Sequence, residues 1–306
     1  MNSLDHAFIR AAFKEEYVLE LPIEHRFPMV KYALVHQQLR HEGIIEDEHW
    51  IRPKPILDQH VLRCHSQAYL NKLEGGTWQR HEQRKSGFPW SPELILREKI
   101  IMEGTRQCAA IAAEGGVALN VAGGTHHAFT DRAEGFCLLN DLVIAARYLI
   151  DSGMERVAII DLDVHQGNGT ASMTHGDGRI FTFSMHGAHN YPLHKEKSSL
   201  DIELEDGTTD DRYLELLESN LARIIEDFRP QVALYQCGVD VLASDKLGRL
   251  SLTMEGCKQR DRLVLEACRD AGIGVACAMG GGYSADVNTI VAAHIQTYRM
   301  ARDVWT

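Results

Sequence analysis

No stretch of the 306-residue chain approaches the run of about 18 apolar residues that a bilayer-crossing helix needs. Cys-x-x-Cys is absent, which removes a thioredoxin-like redox site and the paired-cysteine zinc motifs. So are Gly-x-Gly-x-x-Gly and Gly-x-x-x-x-Gly-Lys-[Ser/Thr], and with them the nucleotide-binding signatures. There is no Gly-x-Ser-x-Gly, and Ser184 is the only serine at the end of a strand-like run, which argues against a Ser–His–Asp hydrolase. Positive charge is in short supply: 32 Lys and Arg against 43 Asp and Glu leave −11, without the basic footprint of a nucleic-acid binder. Repeats, low-complexity tracts and Pro/Ser-rich linkers are also missing. The opening MNSLDHAFIRAAFKEEYVLEL carries acids early and has no apolar leader core. The seven cysteines, an odd number, include Cys237 and Cys277 inside apolar runs, and they read as reduced, buried thiols of a cytoplasmic protein. A cysteine hydrolase would need Cys137 or Cys237 beside a base, and the neighbours of Cys137 read as wall residues.

What is present is a globular composition, 44% hydrophobic and 25% charged. Compact β-branched runs alternate with longer amphipathic ones. Val117–Val121, Val157–Asp161, Ile180–Ser184, Val232–Gln236 and Gly274–Ala278 are apolar on both faces, as strands of a buried parallel sheet are. Between and after them, Ser91–Glu114, Leu138–Ser152, Thr209–Phe228, Glu255–Ala271 and Ala285–Asp303 read as helices. The first ninety residues are less regular, with helices expected near Met29–Glu42 and Cys64–Leu73. The expected architecture is α/β: one domain over residues 1–306, a central parallel sheet with helices on both faces.

Ligands of such sheets bind beyond the carboxyl ends of the strands, where this chain's unusual residues fall. In Asp161-Leu-Asp163-Val-His165 the alternation of an extended run points residues 161, 163 and 165 one way. Two carboxylates and an imidazole make either a metal site or a hydrogen-bonded Asp–His cluster capping the strand. Asp240, just beyond another strand, offers a further ligand. A histidine with carboxylates and an open position suits Zn²⁺, with Fe²⁺ or Mn²⁺ also compatible. His126 and His127 follow the strand at 117–121; on a loop they are surface residues or, beside a metal, an acid–base pair with Asp161 and Asn168 as partners. Gly280-Gly281-Gly282-Tyr283 is either a tight strand-to-helix turn over a packed tyrosine or a means of bringing a phenol to the rim as an oxyanion donor.

These residues together resemble the histone deacetylase family, of the arginase/deacetylase fold. The resemblance runs from about His25 to Tyr298 through HRFPM (25–29), GGTHHA (123–128), GFCLLND (135–141), DLDVHQGNGT (161–170), CGVD (237–240) and GGGY (280–283), in the family's order. GFPWSPELILRE (87–98), HQGNG and Asp240-Val-Leu-Ala-Ser-Asp-Lys-Leu-Gly are most similar to the class IV branch and its bacterial relatives. The resemblance implies one Zn²⁺ on Asp163, His165 and Asp240. It implies His127 as general base and acid, with His126 oriented by Asp161. Asn168 takes the place that orients His127, an aspartate in class I enzymes. Tyr283 polarises the acyl carbonyl, and Phe136 and Tyr191 wall an acyl-lysine tunnel with Leu247 at its rim. Gly135, Gly281 and Gly282 join that substrate surface, and Asp161 with the backbone of Ser184 and Met185 implies an inner K⁺ site.

The implied substrate is an acyl-lysine peptide or protein, carrying acetyl or a longer fatty acyl group, or a small acylated amine such as an acetylpolyamine. No nucleic-acid contact is expected and no oligomeric state follows. Gly187 and Ala188 precede the wall at 189–192, so that loop is expected to swing aside for a longer chain. A binuclear-manganese ureohydrolase shares the fold but needs more carboxylates than Asp240-Val-Leu-Ala and His165-Gln166 offer. A non-catalytic acyl-lysine binder is the remaining alternative.

Overall fold

A computed structural model describes residues 9–306; residues 1–8, which open the segment read as leaderless and belong to the expected 1–306 domain, lie outside the described residues. Eight strands follow in chain order: β1 Arg10–Ala12, β2 Trp50–Ile51, β3 Val117–Asn120, β4 Val157–Asp161, β5 Ile180–Gly187, β6 Leu200–Leu204, β7 Val232–Gln236 and β8 Gly274–Ala278. They form one sheet in the order β2-β1-β3-β8-β7-β4-β5-β6, and every neighbouring pair is parallel.

A parallel sheet must be covered on both faces, and side-chain alternation divides the cover. Val157 and Ile159 of β4 and Val232 and Leu234 of β7 pack with Leu142, Ala145, Leu149 and Cys108, from the helices Asp141–Asp151 and Pro92–Ala112. Ala158, Ile160, Ala233 and Tyr235 pack on the opposite face with Val264, Leu265, Ile295 and Tyr298, from Met254–Asp270 and Val287–Trp305. Local chemistry sets the helix starts. Ser91 accepts from Leu94 N with Pro92 in the first turn, and Asn140 accepts from Val143 N, which starts that helix three residues after the expected Leu138.

Two strands differ in length from the expectation. β3 stops at Asn120 instead of Val121, and β5 runs past Ser184 to Gly187 because β6 pairs alongside it, from Phe183↔Leu200 to Gly187↔Leu204. β6 was not anticipated: Leu-Asp-Ile-Glu-Leu alternates over only five residues at a half-exposed edge and lacks the continuous apolar run that marks the buried strands. Nor were β1 and β2, which at three and two residues are too short to carry a period.

Register places the site. Asp161 lies level with Ser184 and Gln236, Gln236 with Ala278, and Ala278 with Asn120. Four of these strands, β3, β8, β7 and β4, therefore end on one line, which β5 crosses at Ser184, and the segments that follow them emerge together at one rim. Beneath it, fully buried Arg260 donates to the carbonyls of Gly238, Cys237 and Leu162 and pairs with buried Asp261 at 2.7 Å. Asp261 also accepts from the hydroxyls of Tyr235 and Thr297. Arg260→Met would leave that carboxylate uncompensated, so it is expected to cost about 3–5 kcal/mol of folding free energy. Urea unfolding followed by circular dichroism measures it, and a loss under about 1 kcal/mol would show the pair to be dispensable.

Candidate active site

Leu162 and Val164 are buried in the core, so Asp163 and His165, the alternate residues after β4, face the rim. Asp240 arrives from the segment after β7. His165 Nδ1 lies 3.0 Å from Asp163 Oδ1 and 3.1 Å from Asp240 Oδ2. Backbone amides hold the remaining oxygens: Val164 N donates to Asp240 Oδ1 at 2.9 Å and Gly281 N to Asp163 Oδ2 at 2.8 Å. Residue 281 must be glycine at this approach, since a Cβ there would stand 2.0 Å from Asp240 Oδ2.

The three donor atoms all lie within 4.8 Å of one another, and all three residues are buried. Burial opposes a charge on His165, yet its hydrogen bonds to Asp163 and Asp240 and their negative field lift its pKa to about 10. A proton held that tightly between two buried carboxylates marks the point where a divalent cation would neutralise both and accept the Nδ1 lone pair. One nitrogen and two oxygens suit a transition ion better than Ca²⁺ or Mg²⁺. Among the described residues this is the one such cluster of three or more potential ligands.

His126 and His127 sit on the loop after β3, with ring centroids 4.1 Å apart. Asp141 pins that loop. Its carboxylate accepts from Gly124 N at 3.0 Å, Thr125 N at 2.8 Å, Thr125 Oγ1 at 2.9 Å and Thr105 Oγ1 at 2.7 Å. The two imidazoles then meet opposite environments. His126 Nδ1 is 2.7 Å from Asp161 Oδ2; burial works against its charge, but Asp161 and Asp163 outweigh that and raise its pKa. His127 Nδ1 is 2.7 Å from Asn168 Oδ1; burial, followed by the fields of His126 and His165, drives its pKa well below the ordinary value. The amide oxygen can only accept, so it fixes the proton on His127 Nδ1 and leaves the Nε2 lone pair free.

A cavity of about 500 Å³ opens above this floor, lined by His127, His165, Gly135, Phe136, Tyr191, Leu247 and Tyr283. Gly135 adopts φ +51°, and a Cβ there would meet the His127 ring at 2.6 Å. Phe136 belongs to an aromatic cluster with Phe27 and Phe88, at centroid distances of 5.2 and 5.5 Å. Tyr191 sets its edge against His127 at 4.9 Å and donates its hydroxyl to Glu134. Burial first, then the charges of Asp163 and Asp240, hold the Tyr283 phenol far above its usual pKa, so it remains a donor.

Other expected positions are arranged differently. Gly281 joins the buried floor, but Gly282 turns toward Val239, Ile290 and His294 and away from the cavity. Ser184 lies level with Asp161, with its hydroxyl 2.9 Å from His186 Nδ1, and the Met185 side chain is buried in the core. Gly187 and Ala188 do not form a loose hinge. Gly187 N bonds Val164 O, Ala188 N bonds Leu204 O, and Asn190 is tied to Leu247 O and Arg249 N, because β6 extends the sheet to this point.

Asp141 and Asp245 are positioning residues to which the sequence reading gave no role, although both lie inside motifs it quoted. Asp245 accepts from Tyr283 N at 2.6 Å and from Leu247 N and Gly248 N, joining the tyrosine to the cavity rim. An acidic residue opening an otherwise apolar helix was the available signal for Asp141. Asp141→Ala should strip acceptors from two backbone amides and two hydroxyls and cost about 2–6 kcal/mol, at about 1–3 kcal/mol for each of the two fully buried donors, Gly124 N and Thr105 Oγ1. Hydrogen exchange at Gly124 and Thr125 should accelerate in parallel; unchanged protection there would mean that the loop is held by something else.

A parallel sheet whose strand ends gather an Asp–His–Asp cluster, two histidines and a tyrosine defines a hydrolase of the arginase/deacetylase fold. The chain belongs to the histone deacetylase family, whose histone deacetylase domain matches residues 25–298. It is 42% identical over 295 residues to an uncharacterised protein of Picosynechococcus, spanning 96% of this chain and 98% of that one. It is 29% identical to Arabidopsis thaliana histone deacetylase 2, over 89% of this chain and 73% of the relative. In fold it matches the crystal structure of a histone deacetylase homologue from Aquifex aeolicus, with TM-score 0.85 at 24% identity over 97% of this chain and 84% of the other. A histone deacetylase homologue complexed with SAHA aligns with the same score.

Proposed function

We propose that residues 1–306 form a single catalytic unit, a zinc-dependent amidohydrolase that removes acetyl or longer acyl groups from lysine side chains in the cytoplasm. The observation that carries this reading is the Asp163–His165–Asp240 triangle beside His127 at the floor of an open, aromatic-walled cavity. In support of the same reading, the described residues include no helix long and apolar enough to cross a membrane, and their cysteines are free. Placing the chain in the class IV branch is part of the same proposal, supported by the resemblance of residues 87–98 and 240–248 to that branch. A K⁺ beside Asp161, Ser184 and Met185 belongs to the same reading.

Asp163, His165 and Asp240 would hold the zinc, which when bound supplies Lewis acidity toward the amide carbonyl and the attacking water. His127 Nε2, with its lone pair exposed by the Asn168 contact, takes the proton from that water and delivers it to the departing lysine amine. His126, paired with Asp161, holds positive charge beside the developing anion. The Tyr283 hydroxyl donates to the oxyanion as the carbonyl becomes tetrahedral. Phe136 and Tyr191 enclose the aliphatic part of the lysine and exclude water.

The decisive experiment measures metal content and turnover together. Purified protein should carry one zinc per chain and hydrolyse acetyl-, octanoyl- or myristoyl-lysine peptides in preference to acetylpolyamines. Two Mn²⁺ per chain, or no amide turnover by metal-loaded protein, would overturn the proposal. Asp163→Ala should lose metal and activity together, measured by elemental analysis and peptide assay. Tyr283→Phe should keep the metal and lose on the order of 10²–10³ in kcat with little change in KM, because its hydrogen bond strengthens only as charge develops. An unaltered kcat would return Tyr283 to the part of a packed turn residue.

A further inference from the structure

The chain as a whole is acidic, at −11, but the mouth of the cavity is not. Arg26, Arg84 and Lys85 line it against a single acid, Glu24. All three cations are exposed, and none has a carboxylate within ion-pair distance among the described residues. Among the described residues the only side-chain bond that any of them makes is from Arg84 Nε to its own helix, at Arg80 O. Neighbouring acids are already committed: Glu134 to Arg132 and the Tyr191 hydroxyl, Glu82 to Lys72 and Gln79 N. The mouth therefore presents uncompensated positive charge on a negatively charged molecule.

These charges are built onto the wall of the site. Gly135 N donates to Lys85 O at 3.0 Å and Phe136 N to Ser86 O at 2.8 Å, while His25 Nε2 lies 2.8 Å from Gly87 O. The end of the helix Arg80–Ser86 and the segment bearing Arg26 are thus fastened to the residues that cover His127. Basic residues in a last helical turn also complement the helix dipole. That accounts for Arg84 and Lys85, but not for Arg26, which lies on a separate segment between His25 and Phe27.

We infer that this mouth selects acyl-lysine peptides whose neighbouring residues are acidic. The inference rests on the acyl-lysine reading of the cavity and specifies its substrate class. An extended peptide with its acyl-lysine in the cavity lays its flanking side chains across the rim. Asp or Glu at those positions meets Arg26, Arg84 and Lys85, which line the same mouth. A Lys- or Arg-rich peptide, or a polyamine, brings like charge to the same place. Exposed pairs are individually weak, but several charges of one sign around a cleft raise the capture rate of an oppositely charged partner and make it salt-dependent.

The test uses the full, zinc-loaded chain and three acetyl-lysine peptides, identical except for acidic, alanine or basic flanks. At about 10 mM salt, where the screening length is about 30 Å, kcat/KM for the acidic peptide should exceed that for the basic one by about tenfold or more. At about 1 M, where that length is about 3 Å, the ratio should fall toward one. The double variant Arg84→Glu, Lys85→Glu should reverse the order. Each ratio is read within one preparation, so a change in the folded fraction cancels. Equal rates for the two peptides, a preference for the basic one, or a ratio unmoved by charge reversal would overturn the inference while the deacylase reading stands. Failure to hydrolyse any of the three would instead remove the deacylase reading and the inference with it.

Discussion

Negative charge buried at the end of the sheet is the constraint to which the rest of the site answers. Asp161, Asp163 and Asp240 are each at most 3% exposed, and uncompensated carboxylates at that depth would cost several kcal/mol apiece. Each is compensated from the fold. Asp161 accepts from Asp163 N and faces His126, Asp163 accepts from the amides of His165 and Gly281, and Asp240 accepts from Val164 N. Fully buried Lys31 adds positive charge from below, donating to Gly280 O, with its own pKa brought down by burial to about 8. What these contacts leave unbalanced is the charge between Asp163, His165 and Asp240, where a metal ion would lie.

The same charge distribution makes two adjacent histidines chemically unlike. His126 is turned toward the carboxylates and its proton affinity rises. His127 is turned toward an amide with cationic groups behind it, and its affinity falls. An acid–base function needs one group that holds charge and another that exchanges protons. Asp161 and Asn168 stand at equal distance from equivalent nitrogens, but only His126 has carboxylates, Asp161 and Asp163, to outweigh burial, whereas burial and the fields of His126 and His165 prevail at His127. Close glycine contacts sustain the arrangement. Gly135 against the His127 ring and Gly281 against both ligand carboxylates leave no room for a side chain, so each group stays where its partners require it.

The central strands were legible because each is a compact run apolar on both faces, a pattern that a buried parallel strand needs and an exposed one avoids. β4, β7 and β8 have the bounds that their sequences announce. Elements whose stability comes from partners were not legible. β1 and β2 are short, β1 held by the edge of β3 and β2 by that of β1, and β6 is an alternating edge strand held by β5. That missed edge strand explains why the segment at 187–190 is fixed in place instead of free to swing. Within the run of three glycines only the fold decides which way each one faces, and Gly282 faces Val239, Ile290 and His294.

By itself the sequence determined which chemistry was available: alternation after β4 put Asp161, Asp163 and His165 on one side, and ordered motifs named the family. Tertiary structure decided what those residues became. Level strand ends brought Asp240, His126, His127 and Tyr283 from segments far apart in the chain to within a few ångströms of the Asp163–His165 pair. It also left Arg26, Arg84 and Lys85 unpaired at the mouth of an acidic protein. Net charge and motif spacing are properties of the chain, whereas burial, pKa and the pairing of charges depend on which atoms surround a group, and only the packed fold supplies them.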